Sequence, residues 1–245
     1  MGWLIVSIVL AATRAQAATF SVDPVIVELK AGNSSGTVAV TNPSPQVLRM
    51  QVTGFAWHQS PAGTMQLTPS DELIFFPQLL TLAAGETRRI RVGSTVALRP
   101  VEQTFRVYLE ELPSLTNISP SGGAVLTLRM RIGIPVFVNA AGPRVVTGAV
   151  EGASVSGGAL DFDVANTGNT HFSVQKIHVV GKNAVGGDVF NEDLTGWYVL
   201  AGTVRHYHVR ISKKRCEAMR SLSIGVRADT LNFSSTVASR AKDCA

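Results

Sequence analysis

The chain has 245 residues, of which 45% are hydrophobic and 16% are charged, and its formal net charge is +5. Its length exceeds the usual domain of about 100–150 residues and so predicts two domains. The low charge and the 22 glycines favour an all-β protein over a helical one. No tract rich in Lys and Arg has interleaved aromatic residues, so we expect no nucleic-acid partner.

The first 17 residues predict export from the cytoplasm. Residues 3–12 form an almost unbroken apolar run, which is shorter than the about 20 residues that span a bilayer. Ala15, Gln16 and Ala17 then form an A-x-A cleavage pattern, so we interpret residues 1–17 as a cleaved signal peptide. The alternative is an apolar first strand or core helix. No later stretch is long and apolar enough for a membrane helix, so we expect no membrane insertion of the mature chain.

Short runs of alternating apolar residues, separated by turn residues, predict an all-β fold of two β-sandwich domains. Strands are predicted at residues 21–29, 37–41, 47–57, 73–76, 87–92, 104–109 and 124–138. A Gly-Pro breaker within residues 139–143 predicts a linker. The same pattern resumes at residues 145–150, 159–166, 172–180, 197–200, 204–211 and 221–226. The predicted domains are therefore residues 18–139 and 140–245.

The two cysteines predict a disulfide rather than a metal site. Cys216 and Cys244 lie 28 positions apart, a separation that suits no zinc motif. In an exported chain such a pair is expected to be oxidised, because extracytoplasmic compartments favour disulfides. The bond would link the last strands of the second domain.

The segment AVLTLRMRIGIPVFV, residues 124–138, is unusual for a monomeric protein. Alternation places Leu126, Leu128, Met130, Ile132 and Ile134 on one face, and Val125, Thr127, Arg129, Arg131 and Gly133 on the other. Fifteen residues would extend roughly 50 Å, beyond the usual strand of about five or six residues. A long apolar stripe suits β-augmentation, in which a partner binds backbone and alternate side chains. The alternative is an ordinary core strand.

The chain resembles the PapD-like periplasmic chaperones of chaperone–usher pilus systems. The resemblance is carried by SVDP at residues 21–24, LAAGETRRIRV at 82–92, FRVYLEELP at 105–113 and the segment 126–138. FRVYLEELP and RIGIPVFV are more similar to the archaic branch, which includes spore-coat-U-type pili, than to the classical branch. In the second domain NTGNTH at 166–171 and GWYVLAG at 196–202 also resemble that branch.

The resemblance implies a function and a fold. The fold would be two immunoglobulin-like β-sandwich domains, and the protein would be periplasmic, without catalysis or cofactor. Its partners would be pilin subunits, which lack their last strand, and an outer-membrane usher. The residues that would enter the open pilin core are Leu126, Leu128, Met130 and Ile132.

The resemblance also implies a positive anchor for the carboxylate at the pilin C-terminus. Classical members use an Arg in the first strand and a Lys late in the donor strand, but the matching positions here are Ile26 and Gly133. The substitute candidates are Arg106, Arg129 and Arg131, because a buried carboxylate needs charge-assisted hydrogen bonds. Arg106 is preferred, because it interrupts an apolar strand, although it could also face solvent.

An enzyme is the first alternative class. The sequence has no HExxH, GxSxG or Gly-rich phosphate loop. His206 and His208 share a strand face and could bind a metal, but no carboxylate or Cys follows at a ligand-like spacing. Asp161 and Asp163 form a second same-face pair, which we interpret as solubilising residues at a strand edge. We therefore expect no catalytic or metal site.

A secreted β-sandwich adhesin, or a structural subunit of the pilus, is the second alternative. A pilin of this type would have one incomplete domain and a donatable N-terminal extension. The sequence predicts two domains and no such extension, which favours the chaperone.

Overall fold

The computed structural model describes residues 20–113, 128–229 and 231–244. The predicted signal peptide lies outside the described residues. Ten strands form a first β-sandwich: β1 Ser21–Asp23, β2 Val27–Leu29, β3 Ser35–Thr41, β4 Leu48–Gln59, β5 Met65–Pro69, β6 Leu73–Phe76, β7 Leu79–Leu82, β8 Thr87–Ser94, β9 Gln103–Glu111 and β10 Arg131–Val138. Eight strands form a second: β11 Gly148–Ser156, β12 Ala159–Asn166, β13 Phe172–Lys182, β14 Asp188–Leu194, β15 Tyr198–Val199, β16 Val204–Arg210, β17 Ser221–Ala228 and β18 Leu231–Ala238.

The first sandwich encloses one apolar core between two sheets. One sheet has the order β1-β3-β8-β6, and the other has the order β2-β10-β9-β4-β5, with β7 also paired to β4. Alternate residues of each strand point inward, as in β4, where Leu48, Met50 and Val52 are buried. They meet inward residues of the facing sheet such as Val40 and Ile90.

The predicted first strand, residues 21–29, is wrong as a single element. β1 pairs with β3 in one sheet, whereas β2 pairs in parallel with β10 in the other. Pro24 follows β1 and has no N–H group to donate to a ladder, so the chain leaves the first sheet there. The exposed Val25 and Ile26 then connect the two sheets.

The predicted strand at residues 124–138 is also shorter than expected in its described part. It begins as a strand only at Arg131, and residues 128–130 are not in a strand. The neighbouring β9 ends at Glu111, whose N–H still donates to the carbonyl of Met130. The N–H of Leu112 donates instead to the carbonyl of Arg49 in β4. The backbone of β9 therefore offers no further hydrogen bond to extend its pairing with β10 beyond Met130. Residues 124–127 lie outside the described residues.

The second sandwich has sheets of order β11-β12-β16 and β14-β13-β17-β18, with β15 also paired to β13. Gly157 and Gly158 form the hairpin turn between β11 and β12, with φ values of +55° and +72°. Positive φ at both central residues is what a two-residue type I′ turn requires. The prediction of two immunoglobulin-like β-sandwich domains is confirmed as a fold class.

The predicted disulfide between Cys216 and Cys244 is present. Cys216 lies in a short helix, α1 (Lys213–Ala218), and Cys244 ends a 3-10 helix, Ala241–Cys244. Both cysteines are buried in the second core, so the bond ties the end of the chain to that core. In the described part of the chain, none of the helices has the length and apolar character needed to cross a membrane.

A third apolar cluster joins the two sandwiches. We call it the interdomain cluster: it consists of the buried Trp57, Phe137 and Leu200, with Met65, Leu67, Trp197 and Tyr198 packed against them. Trp57 and Phe137 lie on β4 and β10, on the sheet face opposite the first core. The second domain therefore packs against the sheet that contains β10.

Candidate functional site: the open edge of β10

One edge of β10 is only partly covered. β9 pairs with β10 along its whole length, from Arg131 opposite Glu110 to Val138 opposite Gln103. On the other edge β2 pairs only with residues 136–138. Among the described residues no strand pairs with that edge at residues 131–135. Unpaired backbone groups on a strand edge are a template for adding a strand from another chain.

The apolar stripe of β10 runs out of the first core toward this open end. Ile134 and Val136 are buried in the core, whereas Met130 and Ile132 are only partly buried against it. Leu128 is 70% exposed. Leu126, the remaining predicted donor residue, lies outside the described residues. The described stripe therefore begins in the first core at Ile134 and ends in an exposed apolar side chain at Leu128.

Arg129 and Arg131 lie apart from the stripe. Arg131 shares the opposite face with Tyr108: its guanidinium carbon is 4.0 Å from the centre of the tyrosine ring. Its Nε is also 3.5 Å from Glu110 Oε2, in an ion pair that is half-exposed. Arg129 is exposed. Arg131 is thus already paired within the sheet, which leaves it less free to bind an added carboxylate.

Arg106 is buried on that same opposite face, with only 9% of its surface exposed. The alternative of a solvent-facing strand residue is therefore wrong. Its guanidinium carbon lies 4.4 Å from the centre of the Trp57 ring and 4.8 Å from the centre of the Trp197 ring. Its Nε is buried and has no hydrogen-bond partner among the described residues. The aromatic faces stabilise the cation, but they accept none of its in-plane hydrogen bonds.

Gly133 allows this guanidinium to lie close to β10. A Cβ atom at Gly133 would lie 3.2 Å from Arg106 Nη1 and 2.7 Å from Tyr108 Cε1. Any larger residue here would have to displace one of these side chains. Ile26, the other position at which classical members carry a charge, lies one residue before Val27, which pairs with Val136. Gly133 therefore lies within the open edge, and Ile26 lies at the end of that edge, where β2 begins.

Trp197 belongs to a segment of the second domain that is fixed to β4. The side chain of Gln59 donates to the carbonyl of Tyr198 at 2.6 Å. Its amide oxygen accepts hydrogen bonds from Leu200 N at 2.9 Å and from Thr203 Oγ1 at 3.1 Å. Burial of Tyr198 raises the pKa of its hydroxyl, which the nearby Arg106 opposes. One glutamine side chain thus holds the segment 198–203 against the first domain.

A buried polar pair provides a second link between the domains. Glu102, just before β9, has a side chain that is 1% exposed, and its Oε1 lies 2.7 Å from His171 Nδ1. The backbone N–H of His171 donates to the same oxygen at 3.1 Å. The His171 ring stacks on Phe137 of β10, with 3.5 Å between the ring centres. The end of β10 is therefore fixed by side chains from both domains.

The histidines of β16 have carboxylate neighbours that the sequence did not predict. Pairing of β12 with β16 places Asp161 opposite His208 and Asp163 opposite His206. The interpretation of the two aspartates as solubilising residues at a strand edge is wrong about the edge, because β12 lies between β11 and β16. All four side chains are partly exposed on the sheet surface. No cluster of three or more His, Cys, Asp or Glu side chains in the described ranges is arranged to hold a metal ion.

Comparison with known proteins places the chain in a family. Residues 19–143 match the family described as "Pili and flagellar-assembly chaperone, PapD N-terminal domain". The chain belongs to this family of pilus-assembly chaperones. A relative from Escherichia coli O18:K1:H7, "Probable fimbrial chaperone EcpE", is 31% identical over 176 residues, which cover 70% of this chain and 67% of that protein.

Solved structures of other chaperones share the fold of this PapD-family chain. The CsuC-CsuE chaperone-tip adhesion subunit complex of Acinetobacter baumannii, from archaic chaperone-usher pili, has a TM-score of 0.62 at 18% identity and covers 89% of this chain and 98% of that one. The complex of the Salmonella enterica SafA pilin with the SafB chaperone has a TM-score of 0.58 at 12% identity and covers 91% and 99%. At these identities the similarity shows the fold.

Trp57 and Trp197 are the site residues that sequence reasoning missed. Trp197 lies within GWYVLAG, a segment that already carried the family resemblance. The sequence does not show which side chains its ring contacts. Trp57 falls on the face of β4 opposite the core residues Leu48, Met50 and Val52, and its ring packs in the interdomain cluster. A tryptophan pair shared by two domains cannot be found from the pattern of either domain alone.

Proposed function

We propose that this chain is a periplasmic chaperone that binds pilin subunits by donating the strand region that ends in β10. The observation that carries the proposal is the combination of an unpaired backbone edge at residues 131–135 with an apolar stripe that continues outward to the exposed Leu128. A pilin groove that lacks a strand would pair with the edge and bury the stripe. After delivery to an outer-membrane usher, the pilin would exchange this strand for one from another subunit.

The energetics suit a stable but exchangeable complex. Full burial of each donated aliphatic residue contributes about 1.5–3 kcal/mol. The candidates are Leu126, Leu128, Met130 and Ile132, and Met130 and Ile132 are already partly buried in the free chaperone. Their net contribution is therefore smaller than that of the exposed Leu128. The gain must also offset the cost of ordering residues at the interface.

The proposed anchor for the pilin carboxylate is Arg106. Its Nε has no partner among the described residues, and its Nη1 lies close to Gly133 on the open edge of β10. Arg129 and Arg131 remain the other candidates, and the pairing of Arg131 with Glu110 and Tyr108 argues against it. The proposal also includes cleavage of residues 1–17 on export, and no catalysis.

The testing experiment is co-purification from periplasm with the pilin encoded beside this chain. We expect the wild type to form a one-to-one complex, and Leu128→Glu to abolish it, because a charge would enter an apolar groove. Leu128 is exposed, so this variant should retain the melting temperature of the wild type. Val185→Glu is the matched control, since Val185 is 90% exposed in the second domain.

The same experiment separates the three arginines. Among Arg106→Ala, Arg129→Ala and Arg131→Ala, we expect only Arg106→Ala to reduce pilin recovery strongly. If the wild type recovers no pilin and Leu128→Glu unfolds, the stripe is ordinary core and the adhesin or structural-subunit alternative gains support.

A further inference from the structure

In the part of the chain that the structure describes, the second domain adds no strand to the sheet of β10, but it contributes Trp197 to the surroundings of Arg106. Arg106 comes from β9 of the first domain, but one of the two rings that cover its guanidinium belongs to Trp197. Trp197 and Trp57 lie close to each other, with 5.4 Å between ring centres. The cation is therefore covered on one side by aromatic rings from two domains.

Trp197 is held in place from both sides. Its carbonyl accepts the N–H of Val174 in the second domain at 3.0 Å. The preceding Gly196 lies so close to Val174 that a Cβ atom at this position would clash with the Val174 side chain. From the first domain, Gln59 binds Tyr198, the next residue, as well as Leu200 and Thr203. The ring of Trp197 is thus fixed by local packing and by an interdomain hydrogen-bond cluster.

The two rings lie on one side of the guanidinium, because their centres are 4.4 Å and 4.8 Å from its carbon but only 5.4 Å from each other. A carboxylate binds in the guanidinium plane, where all five N–H donors point, so contact with the rings matters because it holds that plane in one orientation. A planar fork held in one orientation loses less conformational freedom on binding than a free side chain does. Removal of one ring would leave the Arg106 guanidinium charged but would allow it to change its orientation.

We propose that Trp197 is a positioning residue for Arg106, so that the second domain sets the affinity of the site for the carboxylate at the pilin C-terminus. This inference rests on the proposed function and deepens it. It predicts that a change in the second domain selectively weakens recognition of the carboxylate, while the donated stripe and its open edge keep their contribution.

The test uses two forms of the pilin encoded beside this chain: the native subunit, and one extended by two C-terminal glycines. The extension displaces the carboxylate by about 7 Å, at roughly 3.5 Å per residue. Affinities are measured for the wild type, Trp197→Ala, Trp197→Phe and Leu200→Ala. Leu200 lies in the same interdomain cluster and controls for a general loss of packing between the domains.

We expect the wild type to prefer the native pilin by about tenfold or more, the value of a charge-assisted hydrogen bond. Trp197→Ala should reduce that preference below about threefold, whereas Trp197→Phe should retain most of it, because a phenyl ring also binds a cation on its face. Leu200→Ala should weaken binding of both forms equally.

Three results would overturn the inference. If Trp197→Ala weakens both forms equally and keeps the preference, the ring has only a packing role. If the wild type binds both forms equally, Arg106 does not anchor the carboxylate, although strand donation stands provided that Leu128→Glu abolishes binding. A wild type that binds neither form would overturn the proposed function and this inference together.

Discussion

Glu102 of the first domain and His171 of the second form a buried pair across the domain boundary, with 2.7 Å between Oε1 and Nδ1. Because the Glu102 side chain is 1% exposed, its desolvation is compensated mainly by this pair and by the backbone N–H of His171. The stacking of His171 on Phe137 connects the pair to β10. The pair therefore links the relative orientation of the domains to the strand proposed to bind the pilin.

We expect His171→Ala to lower the free energy of unfolding by about 2–4 kcal/mol, because it leaves a buried carboxylate with one fewer partner. Small-angle scattering should also show a broader range of interdomain orientations. His178→Ala is the control: His178 pairs with Asp193 on the surface, and its loss should cost less than about 1 kcal/mol. Equal losses in the two variants, measured by urea denaturation, would show that the buried pair has no special role.

The close approach of Gly133 to Tyr108 gives a second prediction. We expect Gly133→Ala to lower the free energy of unfolding by about 1–3 kcal/mol, because its Cβ would lie 2.7 Å from Tyr108 Cε1. Gly225→Ala is the matched control within a strand, since the nearest atom to its Cβ would be 3.8 Å away. A double-mutant cycle of Gly133→Ala with Tyr108→Ala should show most of the loss relieved. Additive losses in the cycle would contradict the steric explanation.

The histidine and aspartate cluster of the second domain predicts a small dependence of stability on pH. Hydrogen bonding to Asp163 raises the pKa of His206 above 6.5, so its stabilisation is present below pH 6.5 and is lost as the pH rises through the raised pKa. Hydrogen bonding to His208 lowers the pKa of Asp161 below 3.8, so its stabilisation is lost only as the pH falls through that lowered value. The cluster stabilises most between pH 3.8 and 6.5.

Because these groups are largely exposed, the total effect should stay below about 1 kcal/mol. NMR titration of the His206 ring gives the direct measurement, and we expect Asp163→Asn to lower the pKa of His206. Asp188→Asn removes a surface pair with Lys182 and should leave that titration unchanged. An unchanged His206 titration in Asp163→Asn would refute the assigned cause.

The disulfide should stabilise the second domain without taking part in binding. Replacing both Cys216 and Cys244 by serine should lower the free energy of unfolding by about 3–4 kcal/mol, the chain-entropy value for a loop of this length. Below its melting temperature the variant should recover as much pilin as the wild type, because the open edge and Leu128 belong to the first domain. If a folded variant recovered no pilin, the core of the second domain would contribute directly to pilin binding.

The sequence predicted the elements whose alternation is strong. The predicted strand at residues 159–166 agrees with β12, because its alternate residues Leu160, Phe162 and Val164 are buried. β14 and β18 were missed, since each is half-exposed and contains acidic or serine residues that weaken the pattern. The prediction of a single first strand was wrong at Pro24, because alternation alone does not distinguish a change of sheet from a continuous strand.

Strand periodicity also made part of the candidate site predictable from the sequence. A stripe such as Leu128, Met130 and Ile132 is visible because strand periodicity is local. The environment of Arg106 is not local: it requires Trp57 and Trp197, which only the packing of two domains brings together. Sequence reasoning could identify an arginine in need of a partner, but it could not identify two aromatic rings as that partner.

β2 acts as a physical stop on the edge of β10. It occupies the edge from Val136 onward, so an incoming strand can form rungs only before that residue. The chaperone therefore fixes the last backbone hydrogen bond that an added strand can form, whatever the sequence of that strand. Different pilin subunits would then pair with β10 in the same register, which ends at Val136.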